Sequence, residues 1–129
     1  TLGTCTIAAG LLAAGDRIEV QFNYGHTGTT AGFTAELQWG GTTILSRAGT
    51  AADTVLAGRV TLGIYAGGQS WDVQTWGSSL AQASSTGSAN ENTNNNLTIS
   101  FRGQFPAATA DSIALRNFTV IRYPAQANP

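Results

Sequence analysis

The residues able to do chemistry are few and scattered. His26 is the only histidine, and the stretch around it, Gly25-His26-Thr27-Gly28, holds no serine, cysteine or carboxylate to complete a nucleophile and base pair. It reads as a turn residue after a strand. Cys5 is the only cysteine, so no internal disulfide forms, and no second thiol or histidine cluster supplies metal-ligand spacing. Glycoside hydrolysis needs two carboxyl groups at a fixed separation, for which Glu19, Glu36, Asp72 and Asp111 are the candidates. Glu19 and Glu36, however, fall on the polar side of alternating stretches, which marks them as solvated. Asp16 follows Ala13-Ala14-Gly15 and fits a tight turn in which its carboxylate accepts from nearby backbone amides. Asn90-Glu91-Asn92 offers oxygens to calcium but only one carboxylate, short of a calcium loop. Asn96-Leu97-Thr98 and Asn117-Phe118-Thr119 match the glycosylation sequon inside strand-like segments. No catalytic constellation assembles from these groups, and the expectation is a protein without enzymatic activity, metal or cofactor.

Aromatic residues carry more promise. Trp71 and Trp76 are five apart in one strand-like stretch and therefore face opposite ways. Trp71, in phase with Val73, fits the core, which turns Trp76 outward. Tyr65 also falls on an outward face. Exposed rings beside amide and hydroxyl side chains suit stacking on a sugar, so Trp76 and Tyr65 are the candidate glycan-binding residues; the same two rings would equally suit subunit contacts.

The elements that must position these groups follow from composition and period. Only 10% of the 129 residues are charged, against ~25% in an average soluble protein, while glycine contributes 16. Such a surface is built from strands and turns rather than helices. There is no lysine, the net charge is −1, and the six arginines are dispersed, which argues against a nucleic-acid partner. No apolar run reaches the ~20 residues that would span a bilayer, so membrane insertion is not expected.

Asp16–Tyr24 alternates without fault, with Ile18, Val20, Phe22 and Tyr24 inward. Phe33–Trp39 repeats the pattern, and Gly40-Gly41 turns it into Thr42–Leu45 as a hairpin. Leu56–Ile64, Ser70–Trp76, Leu97–Arg102 and a short Thr4–Ala8 segment read as further strands. Residues 78–96, with "SSTGSANENTNNN", carry no periodicity and nothing to bury, and read as a long polar loop. "PAQANP" at 124–129 reads as a loosely ordered tail. The whole is one domain of about eight strands, an all-β antiparallel sandwich or jelly roll.

The final strand, "SIALRNFTVIRYP", changes phase near Arg116-Asn117, the mark of a β-bulge. Apolar residues then occupy both of its faces, and a strand apolar on both faces is buried on both. Phe118, Val120, Ile121 and Tyr123 are therefore the expected oligomer interface, most simply that of a homotrimer.

The segments "TIAAGLLAAGDRIEVQFNY", "AELQWGGTTIL", "LTISFRG" and "DSIALRNFTVIRYP" resemble small β-domains of tailed-bacteriophage structural proteins, on the strength of Leu12–Asp16, Leu37–Thr42 and Phe118–Val120. The resemblance implies a jelly-roll domain, commonly trimeric, on a virion assembled in a bacterial cytoplasm. It would sit at the tip of a tail fibre or spike and bind a host-surface glycan, or decorate the capsid and bind other virion proteins. A carbohydrate-binding module of a secreted bacterial protein would share the sandwich without requiring a trimer. The resemblance brings no catalytic residues with it.

Overall fold

Each alternating stretch has one apolar face, and pairing such stretches lets that face leave water while the backbone amides stay hydrogen-bonded. In the computed structural model, which describes residues 1–127, the strands are β1 (Gly3–Ile7), β2 (Arg17–Thr27), β3 (Phe33–Trp39), β4 (Thr42–Gly49), β5 (Val55–Tyr65), β6 (Gly68–Gly77), β7 (Ala83–Ala89), β8 (Leu97–Gln104) and β9 (Ser112–Tyr123). They form two antiparallel sheets, ordered β1-β8-β3-β4 and β7-β6-β5-β2-β9. No helix occurs among the described residues.

The inward faces of the two sheets share one core, in which Val20, Tyr24 and Leu62 of one sheet meet Leu37, Trp39 and Phe101 of the other. Two polar groups buried in it are bonded across the sheets. The Tyr24 hydroxyl donates to the Glu36 carbonyl at 2.8 Å, and the Trp39 indole N–H donates to Gln69 Oε1 at 3.2 Å. Burial pushes the Tyr24 phenol well above its ordinary range, so it remains a donor at any ordinary pH. The β3–β4 hairpin turns at Gly40, whose φ of +59° is the left-handed region glycine favours. Its register slips by one residue at Ile44, since Leu37 pairs Leu45 and Gln38 pairs Thr43.

The polar stretch over 78–96 is not one loop. β7 lies inside it and pairs with β6 from Gln69 opposite Ala89 to Thr75 opposite Ala83, which gives nine strands. Its side chains bury almost nothing, so no hydrophobic period announces it. Backbone pairing at a sheet edge holds it there, with Gly87 against the Trp71 ring. The 124–129 tail is likewise tied down where it is described, because the Ala125 N–H donates to Asp16 Oδ1 at 2.9 Å. Residues 128–129 lie outside the described residues.

β9 has its bulge where the phase changes. Asn117 pairs Asn23 and Leu115 pairs Tyr24, leaving Arg116 as the extra residue. The bulge returns Phe118 and Val120 to the inward face, opposite Phe22 and Val20, and leaves Ile121 and Tyr123 outward, opposite Glu19 and Arg17. The expected interface residues are thus divided between the two faces. Phe118 packs on Phe101 with ring centroids 4.8 Å apart, and the Arg17 guanidinium lies 4.7 Å over the Tyr123 ring. β9 and β1 are both edge strands and border the same side of the sandwich; Leu2 and Phe118 are exposed along that edge, and Ile121 and Tyr123 on the outer face of β9. The opposite side is closed by Arg47, which donates to Thr75 Oγ1 at 3.2 Å and to the Ala81 carbonyl at 3.0 Å.

Candidate functional site

The asparagine-rich segment after β7 is held from three directions. Gln69 points inward from β6 and is buried, and its side-chain amide bonds the peptide of Glu91 twice: Nε2 donates to the Glu91 carbonyl and Oε1 accepts from the Glu91 N–H, both at 3.0 Å. Asn92 Oδ1 accepts from the Asn94 N–H at 2.9 Å, an Asx turn that fixes the next residues locally. The segment before β2 completes the hold, with the Gly10 N–H donating to the Thr93 carbonyl and the Ala9 N–H to Asn96 Oδ1, each at 2.9 Å. The Glu91 carboxylate turns away to accept the Gly41 N–H at the tip of the β3–β4 hairpin.

Tyr65 stands beside this segment at the end of β5. A Cβ on Gly68 would come within 2.9 Å of the Tyr65 hydroxyl and 2.8 Å of the Ala89 carbonyl, so only glycine there lets the ring lie across the β5–β6 turn. The ring is 49% exposed. Between it and the 90–94 segment runs an open groove of about 410 Å³, whose floor includes Gly67, Gly68 and Gln69. One aromatic face, several amides and a hydroxyl form its lining, and such a set can stack on a ring and exchange hydrogen bonds with hydroxyl groups.

Trp76 does not belong to this groove. It faces outward and is 43% exposed, as its phase predicts, but it pairs with Ala57 while Tyr65 pairs with Gly68. Eight residues of β5 separate those positions, or about 26 Å at the rise of a strand. The two candidate glycan residues therefore cannot act on one sugar.

The candidate acids and bases serve other ends. Glu19 and Glu36 project from the outer faces of different sheets, which are about 10 Å apart before either side chain extends away, so they do not form a hydrolytic pair. Asp72 is on the outer face of β6. Cys5 packs partly buried against the core. His26 is not in a turn but within β2 and buried, because its ring has partners far along the chain. Nδ1 donates to the Asp53 carbonyl at 2.7 Å, and Nε2 lies 3.0 Å from Asp111 Oδ2. That same oxygen accepts the Thr30 and Ala31 N–H groups, each at 2.9 Å. Among the described residues, no three His, Cys, Asp or Glu side chains gather as metal ligands.

Asp53 has no signal in the sequence. It is fully buried, and its carboxylate accepts from the Thr50 N–H and hydroxyl on one oxygen and from Ser79 N–H, Ser79 hydroxyl and Ser78 hydroxyl on the other. Its donors from the 78–79 segment are 25 or 26 residues away in sequence, and nothing in the local pattern links them. Burial alone would raise the Asp53 carboxyl, but the Ser79 and Thr50 donors outweigh it and hold the group at about 2. The Ala13 N–H, with Ala125 and Arg122, lowers Asp16, and the Ala31 N–H, with His26 and Thr30, lowers Asp111.

These shifts fix a pH dependence. A carboxyl whose folded value is depressed contributes stability that is fully present above its unfolded value, here 3.8, and lost as pH falls through the folded value. The thermal midpoint is therefore expected to change little from pH 7 to pH 5 and to drop steeply between about pH 4 and pH 2. Calorimetry across that range checks it, and a midpoint flat down to pH 2 would contradict the bonding described.

Comparison of the chain with protein-family models, with curated proteins and with solved structures gives no match.

Proposed function

We propose that this chain is a non-enzymatic attachment domain of a bacteriophage particle, a homotrimeric jelly roll that holds a bacterial surface glycan in the groove between Tyr65 and the 90–94 segment. The observation that carries the reading is the groove itself: an exposed ring and several amide side chains on a backbone immobilised by the buried Gln69. Preorganisation of this kind lowers the ordering cost of binding a flexible, polar ligand. A jelly-roll topology is supported by the connections that cross between the sheets at β1–β2, β2–β3, β4–β5, β7–β8 and β8–β9. Self-association is supported by the apolar side bordered by β1 and β9. The absence of an engine for catalysis in the reading rests on the separated carboxylates and on a histidine committed to Asp53 and Asp111.

That same apolar side favours one second reading, a decoration protein that cements a capsid through contacts with other virion proteins. The two part on one measurement. Titration with cell-surface polysaccharide from bacterial hosts is expected to show binding that Tyr65→Ala weakens about tenfold, the scale of one lost stacking contact, and that Trp76→Ala leaves unchanged. Loss through Trp76→Ala alone would move the site to the far end of the sheet, and no binding by the intact chain would favour decoration.

A further inference from the structure

We infer that the groove selects uncharged sugars, gripped by the side-chain amides of Asn90 and Asn94 over the Tyr65 ring; this rests on the reading of the groove as a glycan site. The segment's polar groups divide into those that build it and those left over. Asn92 Oδ1, the Glu91 peptide, the Thr93 carbonyl and Asn96 Oδ1 are all bonded within the chain. Among the described residues the side-chain amides of Asn90 and Asn94 bond to nothing, and both residues are exposed at the groove. Two free amides on an immobilised backbone are an unusual arrangement, since an exposed asparagine more often turns back on its own chain.

The chemistry of these groups selects the ligand. An amide donates through nitrogen and accepts through oxygen, and a sugar hydroxyl likewise does both, so neighbouring hydroxyls on one ring can be met in either sense. An acidic sugar needs a cation or a cluster of N–H donors, and the groove has no arginine. Arg47, Arg59 and Arg122 are engaged at Thr75, Gln74 and Asp16, and Arg17 lies over Tyr123. No cationic side chain lines the groove, and the Glu91 carboxylate, turned away to the Gly41 N–H, adds no attraction for carboxylates or sulfates. Tyr65 supplies the apolar face that the C–H side of a pyranose ring requires, held in place because Gly68 leaves room beneath it.

The test is a binding panel read by calorimetry. Neutral oligosaccharides of glucose, galactose, mannose and N-acetylglucosamine are compared with oligosialic acid and oligogalacturonate. Binding is expected within the neutral set, with less than twofold change between about 50 and 500 mM NaCl, because no ion pair is formed. Asn90→Ala and Asn94→Ala should each weaken it about tenfold, while their thermal midpoints stay at the wild-type value, since neither amide holds the fold. Binding confined to the acidic set, weakened by salt, would overturn the inference and leave the glycan reading standing. Neutral binding that both asparagine variants retain in full would also overturn it. Failure of every oligosaccharide in both sets would remove the glycan reading itself.

Discussion

Replacing Asp53 by alanine is expected to lower the unfolding free energy by about 3 kcal/mol, and the thermal midpoint by on the order of 10 °C for a chain of this size. The carboxylate is completely buried and joins the β4–β5 loop, through Thr50, to the segment after β6, through Ser78 and Ser79. Its removal leaves the Thr50 and Ser79 N–H groups without acceptors in a site that alanine cannot fill, and stranded buried donors cost more than the bonds contribute. The Asp53 carbonyl also receives His26 Nδ1, so movement of this loop disturbs β2 and, through the same ring, Asp111. Asparagine in place of Asp53 should rescue little, because its NH₂ would face donors on one side. A loss under 1 kcal/mol in chemical denaturation of the alanine variant would show that the network is not the tie described.

The second large effect concerns mass in solution. Light scattering at micromolar concentration is expected to give three times the 13.3 kDa of one chain, and Ile121→Arg or Tyr123→Glu is expected to return it to one. Both substitutions spare the fold. Each side chain points outward, and each new charge finds an opposite one across the strand pair, Glu19 for Arg at 121 and Arg17 for Glu at 123. A charge placed in an apolar interface without a partner from the other copy is costly, so assembly is what suffers. A wild-type monomer, or trimers that survive both changes, would remove β9 as the contact.

Much of this architecture is legible in the sequence because it is written in period. Ile18, Val20, Phe22 and Tyr24 declare β2, and the break at Arg116 declares the bulge without any knowledge of what β9 pairs with. β7 is silent for a physical reason: serine, threonine, alanine and glycine at an edge bury too little to leave a pattern, and its strand state comes from hydrogen bonds that β6 offers. The groove is hidden for a related reason. A run of asparagines reads as unstructured until Gln69, more than 20 residues earlier, is seen to clasp its backbone. His26 and Asp53 are misread or missed because their partners lie 85 and 25 residues away, and burial of a polar group is decided by such partners, not by its neighbours.

The blandness of β7 bears on how far any assembly can extend. A sheet grows without limit only if both of its margins are adhesive, which is the route to fibres. The five-stranded sheet has β9 at one margin, rich in branched and aromatic groups, and at the other a strand with no side chain larger than threonine's. If copies gather on the β9 flank as proposed, the sheet offers no second adhesive margin, so assembly through β9 is expected to close at a fixed size and not to polymerise as concentration rises.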